Sequence, residues 1–510
     1  MIATRLTVKA IDLCTALVYR NYAFYHWAIA HLPTHIEELG LQMAWRAFTR
    51  AQEQVPAYNA FLARQYVRRD RHGLLAEQFA HIPETDKNNY VRAFSAAERC
   101  AGGSIPARHV VVDESSGSTG VPYNWVRSRA EVRRTQRVCS YFHRCYLGGE
   151  PLFVINAFSM GAWATGAMVG AALEANGIVK STGPDLEKIL STLRFFGPHY
   201  RYLITGYPPF LKRLLDYGDA QGFDWSAYRL VGMVGGEGMS ENMRRYLLSR
   251  FEKVLSGYGA SDLEVGIAAE SDMSIALRQL MEQRADVREA LIGSERRVPM
   301  LFQYNPLDHY IEVNAHNELV VTITRPLLSP RIRYNVKDEG GVLSYAEVTT
   351  RLRQLGVELP TLLPAGSWSA RLPFVYVFGR SDSTISYMGA NIYPEDVESS
   401  LFASAYASRL GAFCMELLEN EENSTIRPCI HIEVLEGAPT EAMAQSLGET
   451  VREKLSQINA DFRQALNEDQ RAGELKAMLH PAGEGPFAQN NGRIKRRYII
   501  EPSLQKVAVK

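Results

Sequence analysis

The spacing of apolar side chains predicts helices at several points along the chain. Between residues 37 and 54 apolar positions recur every three or four residues, and Pro56 ends the pattern. The stripe consists of Leu41, Ala44, Ala47, Phe48 and Ala51. Similar stripes cover residues 186–196 and 210–215, the second directly after two prolines. This periodicity is typical of amphipathic helices that each bury one face.

Short β-rich runs alternate with helical stripes between about residues 109 and 340. The predicted strands cover residues 109–112, 152–155, 202–205, 230–234 and 318–324. Strands that alternate with helices indicate an α/β domain with largely parallel sheets, because a parallel connection needs a crossover element.

The pattern changes near residue 380, at the polar stretch of residues 379–383. A strand at 430–435 and a long helical pattern from Leu447 to Leu466 follow it. We therefore predict a large N-terminal domain of residues 1–379, with mixed or parallel sheets flanked by helices. Residues 380–510 would form a smaller, mobile α+β domain, with the active site in the cleft between the two.

Composition and charge exclude several classes of protein. Hydrophobic residues make up 46% of the 510 residues and charged residues 22%, as in globular proteins. The 56 basic residues balance the 56 acidic ones, so no net field attracts nucleic acid or an anionic membrane. The six cysteines lack the usual metal-binding spacings, which favours free thiols in a reducing compartment. Charged residues interrupt the apolar stretches of the first 30 residues, which argues against a signal peptide or a spanning helix, so we expect a cytoplasmic protein. Its oligomeric state stays open between monomer and homodimer.

Residues 115–122, Ser-Ser-Gly-Ser-Thr-Gly-Val-Pro, carry the most specific chemical signal. Two glycines let the backbone approach a ligand closely, and four hydroxyl groups add hydrogen-bond donors around it. Such a loop suits phosphate oxygens, and Asp113 and Glu114 just before it suggest that it leaves a strand. It is not a Walker A loop, because no Gly-Lys-Ser/Thr follows.

Four further segments follow this loop, and the ordered set resembles the adenylate-forming enzymes of the acyl-CoA synthetase superfamily. The segments are Gly-Gly-Glu at 235–237, Ser-Gly-Tyr-Gly-Ala-Ser-Asp at 256–262, Asp338 with Arg380, and Asn-Gly-Arg-Ile-Lys-Arg-Arg at 491–497. Residues 52–58 and 82–87 resemble stretches of the phenylacetate–CoA ligase-like branch in particular. The resemblance runs from about residue 40 to the C-terminus. Tyr123 stands where the wider superfamily has a lysine, which that branch also commonly lacks.

The resemblance implies a set of nucleotide-binding residues. In the phosphate loop and after the later strands they are Ser116, Gly117, Ser118, Thr119, Gly120, Gly235, Gly236, Glu237 and Gly259. Tyr258 would stack on adenine, and Ser261 would contact the α-phosphate. Mg²⁺ would bind Asp262 directly or through water, with Glu264 as the alternative.

Further roles implied by the resemblance lie around the domain junction. Asp338, steadied by Arg380, would accept the ribose hydroxyls. Asp382 would be the hinge, and the loop at Gly389 would reach the cleft for thioester formation. The catalytic cation would be Lys495 or Arg493, two residues apart and on one face of an extended segment.

The resemblance implies ATP-dependent activation of a carboxylic acid to an acyl adenylate and its transfer to coenzyme A. Phe158, Met160 and Trp163 would line the acyl pocket and suggest an aryl or other apolar acid. Two alternatives stay open. The acceptor could instead be a carrier-protein phosphopantetheine or an amine. The chain could also be a nucleotide-binding homologue that has lost catalysis, because Tyr123, Asp262 and Arg493 depart from the customary residues.

Overall fold

The computed structural model describes residues 21–31, 36–65, 74–115, 123–161, 164–295, 297–364, 367–381, 384–420 and 425–488. Within these ranges no helix is both long enough and apolar enough to cross a membrane. The described strands are β1 Val110–Ser115, β2 Tyr123–Ser128, β3 Leu152–Asn156, β4 Gly177–Ser181, β5 Arg201–Gly206, β6 Arg229–Gly235, β7 Lys253–Ala260, β8 Glu264–Ala269, β9 Met300–Tyr304, β10 His309–Val313, β11 Glu318–Ile323, β12 Tyr334–Leu343, β13 Phe374–Arg380, β14 Ile385–Tyr387, β15 Ala390–Ile392, β16 Leu410–Asn420, β17 Thr425–Val434 and β18 Lys476–Pro481.

Helices alternate with these strands in the described part of the chain. The described α-helices are α1 Tyr22–Ala30, α2 Ile36–Gln54, α3 Pro56–Gln65, α4 Leu75–Ala80, α5 Arg129–Leu147, α6 Ala164–Leu173, α7 Leu186–Phe196, α8 Pro208–Ala220, α9 Glu241–Leu247, α10 Asp272–Gln283, α11 Ala285–Ile292, α12 Tyr345–Gln354, α13 Pro394–Phe402, α14 Glu441–Ile458 and α15 Ala460–Glu468. Helix α7 matches the predicted stripe and buries Ile189, Leu190 and Leu193. The long pattern predicted across 447–466 is two helices, because the extended backbone of Asn459 separates them and its side chain caps α15.

Eleven strands form one large mixed sheet in the order β10-β11-β12-β13-β9-β8-β7-β6-β5-β3-β4. The neighbouring strands β4, β3, β5, β6 and β7 pair in parallel. Every other neighbouring pair, from β7–β8 to β11–β10 at the far edge, is antiparallel. The expected largely parallel arrangement therefore holds for one half of the sheet. In the antiparallel half a short turn joins β7 to β8 and another joins β10 to β11. Helices still lie between β8 and β9 and between β12 and β13.

The region after residue 380 has its own small sheets. Strands β14 and β15 form a hairpin, and β16, β17 and β18 form a three-stranded sheet against which α14 packs. The prediction of an α/β fold with a large mixed sheet and a smaller C-terminal sheet region is confirmed. The domain boundary at residue 380 stays a prediction. Hydrogen bonds from Ser159 Oγ to Glu468 (2.6 Å) and from Ser240 Oγ to Glu419 (2.7 Å) join the two regions.

Candidate functional site

The two strands that flank the phosphate loop are anchored to the turn after β7. The guanidinium of Arg127, on β2, lies 2.7 Å from the Asp113 carboxylate on β1. The same guanidinium donates to the carbonyls of Ser261 (2.9 Å) and Leu263 (2.5 Å). The ends of the loop are therefore held beside the predicted α-phosphate and magnesium segment. The loop residues predicted to bind phosphate, Ser116, Gly117, Ser118, Thr119 and Gly120, lie outside the described residues.

Two cations lie at the start of β2, beside Tyr123. Lys87 Nζ is 5.6 Å from the centroid of the Tyr123 ring, and the Arg92 guanidinium is 5.4 Å from it. Arg92 also donates to the Tyr123 hydroxyl. Residues 82–87 carry a resemblance that implies no role for Lys87. Two positive charges therefore lie beside Tyr123, one at the first residue and one directly after the last residue of the helical turn at residues 87–91.

The predicted nucleoside-binding residues meet at one place on the large sheet. The Tyr258 hydroxyl donates to Asp338 Oδ2 over 2.6 Å, and the Tyr258 ring stacks on Phe302. Asp338 and Arg380 face each other in the β12–β13 register, and Arg380 Nη1 lies 3.8 Å from Asp338 Oδ1. Burial, and then the charge of Asp338, raise the pKa of Tyr258 well above its usual value. The tyrosine therefore stays a hydrogen-bond donor at physiological pH.

Asp262, the predicted magnesium ligand, lies in a polar setting beside the loop. Its carboxylate accepts hydrogen bonds from Trp125 Nε1 (3.2 Å) and the Tyr334 hydroxyl (3.0 Å). Lys87 Nζ lies 3.3 Å from Asp262 Oδ2. The Asp262 side chain is 11% exposed, and these three partners hold its carboxylate in a defined orientation.

Glu264, the alternative magnesium ligand, is engaged elsewhere. Its two carboxylate oxygens contact Arg325 and His309, and all three side chains are buried. Burial alone would raise the pKa of Glu264, yet the charges of Arg325 and His309 hold that pKa well below its usual range. A magnesium ion at Glu264 would have to displace Arg325 and His309, and one at Asp262 would have to displace Lys87.

The tip of the β14–β15 hairpin touches the end of β6. Met388 and Gly389 both have positive φ, +52° and +83°, as in a tight two-residue hairpin turn. The Met388 N–H donates to Glu237 over 3.0 Å. Burial raises the pKa of Glu237 to about 8, although the N–H groups of Met388 and Gly389 oppose the shift.

Tyr207, which sequence analysis did not single out, lies between two predicted glycines. A Cβ on Gly389 would come 2.4 Å from the Tyr207 hydroxyl, and a Cβ on Gly236 would come 2.9 Å from its ring. Gly235 ends β6 just before this contact, and Gly259 lies in the neighbouring β7. The hairpin tip therefore packs closely against Tyr207, and neither Gly236 nor Gly389 has room for a side chain.

The predicted acyl-pocket residues have different surroundings. Phe158 is buried and packs edge-on against Tyr207, with ring centroids 5.2 Å apart. Met160 lines a cavity of about 480 Å³. The cavity also includes Arg213 and Tyr217 from α8 and Asn467 and Glu468 from the end of α15. It thus opens where the C-terminal region meets the large sheet. Trp163 lies outside the described residues, as do the hinge Asp382 and the candidate cations Arg493 and Lys495.

Similarity to known proteins was found among solved structures. Neither a family model nor a curated protein sequence matches this chain. The chain is similar to a 2-hydroxyisobutyryl-CoA ligase in complex with its acyl adenylate and CoA in the thioesterification state, with 15% identity and a TM-score of 0.60. The alignment covers 93% of this chain and 91% of that one. An open conformation of that ligase gives 14% identity and a TM-score of 0.51, over 91% of both chains.

A postadenylation state of the same ligase gives 15% identity and a TM-score of 0.51, over 93% of this chain and 91% of that one. At these identities the similarity establishes the fold. The chain has the fold of this CoA ligase, and the predicted resemblance is confirmed at the level of the fold. The phenylacetate–CoA ligase-like branch stays a prediction.

Proposed function

We propose that this chain, which has the fold of the adenylate-forming ligases, is an AMP-forming acid–thiol ligase. It would activate a carboxylic acid with ATP and transfer the acyl group to coenzyme A, giving acyl-CoA, AMP and pyrophosphate. The observation that carries the proposal is the convergence of Tyr258, Asp338 and Arg380. Arg127 also ties strands β1 and β2 to the turn that follows β7. The three converging residues come from separate strands, and together they would form a nucleoside site.

Nucleotide binding would use the Asp338 carboxylate as the acceptor for the ribose hydroxyls. Tyr258 donates to one of its oxygens, and Arg380 lies near the other, so the carboxylate is oriented before a nucleotide arrives. The hydroxyl and N–H groups of the loop would then surround the phosphates. Mg²⁺ fits Asp262 among the described residues, and it would neutralise and orient the phosphates of ATP.

The first half-reaction would be attack of the substrate carboxylate on the α-phosphorus, in line with the departing pyrophosphate. The protein would contribute position and charge rather than a covalent intermediate. Lys87 and Arg92 support this role because they place two positive charges at the end of the phosphate loop. Ser261 would contact the α-phosphate, and Arg493 or Lys495 would stabilise the charge that develops on it.

The second half-reaction would be attack of the coenzyme A thiolate on the adenylate carbonyl, with release of AMP. Contact between the hairpin tip and Glu237 supports an arrangement in which the Gly389 loop lines the path of the thiol. The C-terminal domain, residues 380–510, would turn about Asp382 between the two half-reactions, in a hinge motion.

The acid would be aryl or otherwise apolar, with Phe158, Met160 and Trp163 along its pocket. Carrier-protein phosphopantetheine or an amine remains the alternative acceptor. The test is carboxylate-dependent pyrophosphate release from ATP over aryl, arylacetic and fatty acids, with and without coenzyme A. Release accompanied by AMP and acyl-CoA supports the ligase, and release without acyl-CoA favours another acceptor. ATP binding without release for any acid would favour a homologue that has lost catalysis.

Lys87→Met is expected to slow adenylate formation by about tenfold, because one charge-assisted contact to a phosphate is lost. Lys87→Arg keeps the charge and is expected to retain most of the rate. The measurement is acid-dependent pyrophosphate release at saturating and limiting ATP. Lys454→Met, on the exposed side of α14, is the matched control. An unchanged rate and KM for ATP in Lys87→Met would contradict a role at the phosphates.

Arg493→Ala and Lys495→Ala separate the two candidate cations. The residue that stabilises the α-phosphate should slow adenylation by about 10²- to 10³-fold when removed, and the other should have a small effect. Pyrophosphate release and acyl-CoA formation from pre-formed adenylate are measured in parallel. The second reaction should stay near its normal rate in both variants. If neither variant slows adenylation by about tenfold, the role given to this segment is wrong.

A further inference from the structure

The three-stranded sheet of β16, β17 and β18 carries a cluster of side chains of the kinds that bind metal ions. The cluster contains none of the residues proposed to bind the nucleotide. Cys429 and His431 lie two residues apart on β17 and therefore point to the same face of the sheet. Glu416, on β16, is the register partner of Cys429. The Cys429 Sγ, the His431 imidazole nitrogen and a Glu416 carboxylate oxygen all lie within 4.8 Å of one another.

The distances within the cluster suit a single small cation. His431 Nε2 is 3.6 Å from Cys429 Sγ and 2.7 Å from Glu416 Oε1. Bond lengths to zinc of about 2.0–2.3 Å in a tetrahedron place a nitrogen and a sulfur ligand about 3.5 Å apart. The sulfur and the imidazole are thus already at ligand spacing. The carboxylate, whose side chain is 14% exposed, needs to withdraw by about half an ångström for the same geometry.

A second histidine orients the first. His431 Nδ1 lies 2.9 Å from His480 Nε2, on β18, and the two rings stack. One nitrogen of this pair donates and the other accepts. With a metal ion at His431 Nε2, the Nδ1–H would donate to His480 Nε2, in the place that a carboxylate, a carbonyl or water usually takes behind a metal-bound imidazole. Cys429 is fully buried and His431 nearly so, which removes competition from water at those two ligands.

We propose that Glu416, Cys429 and His431 form a divalent-metal site, with His480 as the positioning residue behind His431. Thiolate, imidazole and carboxylate together favour Zn²⁺ over the hard ions Mg²⁺ and Ca²⁺. Three protein ligands leave a fourth position for water or another donor. On binding, the Cys429 thiol gives its proton to solvent and a sulfur–metal bond forms, so one proton is released for each ion bound. The site is independent of the proposed ligase reaction.

The test is Co²⁺ titration of the full chain after removal of metals with a chelator, followed by competition with Zn²⁺. One equivalent of Co²⁺ should give visible bands of a four-coordinate ion and a thiolate-to-cobalt charge-transfer band, both lost when Zn²⁺ is added. Cys429→Ser should abolish the charge-transfer band. Cys100→Ser, which removes a buried thiol of the N-terminal region, should leave it unchanged.

Two further variants keep the test independent of folding defects. Glu416→Gln preserves the shape of the side chain and should weaken Co²⁺ binding, with an unchanged circular dichroism spectrum. His480→Gln should lower the affinity by about 10- to 100-fold and keep the charge-transfer band, as expected of a positioning residue. Absence of a charge-transfer band in the natural protein, or its persistence in Cys429→Ser, would overturn the proposal.

Discussion

Gly389→Ala is expected to slow acyl-CoA formation by about 100-fold while adenylate formation continues at nearly its normal rate. Gly389 has a φ of +83°, and a Cβ there would come 2.4 Å from the Tyr207 hydroxyl and 2.5 Å from the carbon that bears it. A left-handed conformation costs an alanine about 1–3 kcal/mol, and the contact with Tyr207 adds to that cost. The hairpin tip would therefore no longer seat against Glu237. Adenylation does not need that seating in the proposed mechanism.

The two half-reactions are measured separately in single-turnover experiments, as pyrophosphate release and as acyl transfer from pre-formed adenylate. Gly356→Ala is the matched control, because Gly356 has a φ of +71° and a Cβ there meets no atom within 4 Å. Gly356→Ala therefore measures the cost of a left-handed alanine without the steric contact that Gly389→Ala makes with Tyr207. Equal loss of both half-reactions in Gly389→Ala, or no loss of either, would contradict a role of the hairpin tip in thiol transfer alone.

The order of the motifs along the chain was enough to predict that Tyr258, Asp338 and Arg380 lie together, and their role in nucleoside binding stays a prediction. Tyr258, Asp338 and Arg380 are dispersed over more than a hundred residues, on strands β7, β12 and β13, which the apolar pattern did not predict. The register that pairs Asp338 with Arg380 then brings them to one place. The predicted ends of helix α7 and of strands β3, β5 and β6 differ from the observed ends by no more than one residue. Their apolar patterns are strong and depend only on neighbouring residues.

Contacts between distant parts of the chain could not be predicted in this way. Lys87 reaches Tyr123 and Asp262 because of how a helical turn packs on β2, and no local pattern records that packing. Glu264 was a reasonable magnesium ligand by its position after Asp262. Its partners Arg325 and His309 come from another part of the sheet, and only the three-dimensional arrangement shows that they engage it.

The cluster in the C-terminal sheet illustrates the same limit. The six cysteines lack the spacing of known zinc motifs, and that observation is correct for the sequence. Cys429 and His431 are nevertheless separated by one residue, which on a strand places both side chains on one face. The third group, Glu416, comes from the neighbouring strand across a hairpin, so its position depends on a register that the sequence alone does not specify.

Asp338→Ala is expected to weaken ATP binding by about 100-fold or more. Charge-assisted hydrogen bonds contribute about 1.5–3 kcal/mol each, and the proposed ribose contact makes two of them. The substitution also leaves the buried Tyr258 hydroxyl without its acceptor and the Arg380 guanidinium without its nearby carboxylate. The measurement is ATP affinity by isothermal titration calorimetry, with thermal unfolding recorded for each variant to separate binding from stability.

Two variants sharpen the interpretation of that loss. Tyr258→Phe keeps the ring but removes the donor to Asp338, so ATP binding should weaken by about tenfold, the effect of a single hydrogen bond to a charged group. Glu339→Gln changes the next residue of β12, whose carboxylate pairs with Arg297, and should leave ATP affinity unchanged. If Asp338→Ala bound ATP as tightly as the natural protein, the ribose would have to lie elsewhere. The cluster of Tyr258, Asp338 and Arg380 would then serve the packing of β12 against β13 rather than nucleotide recognition.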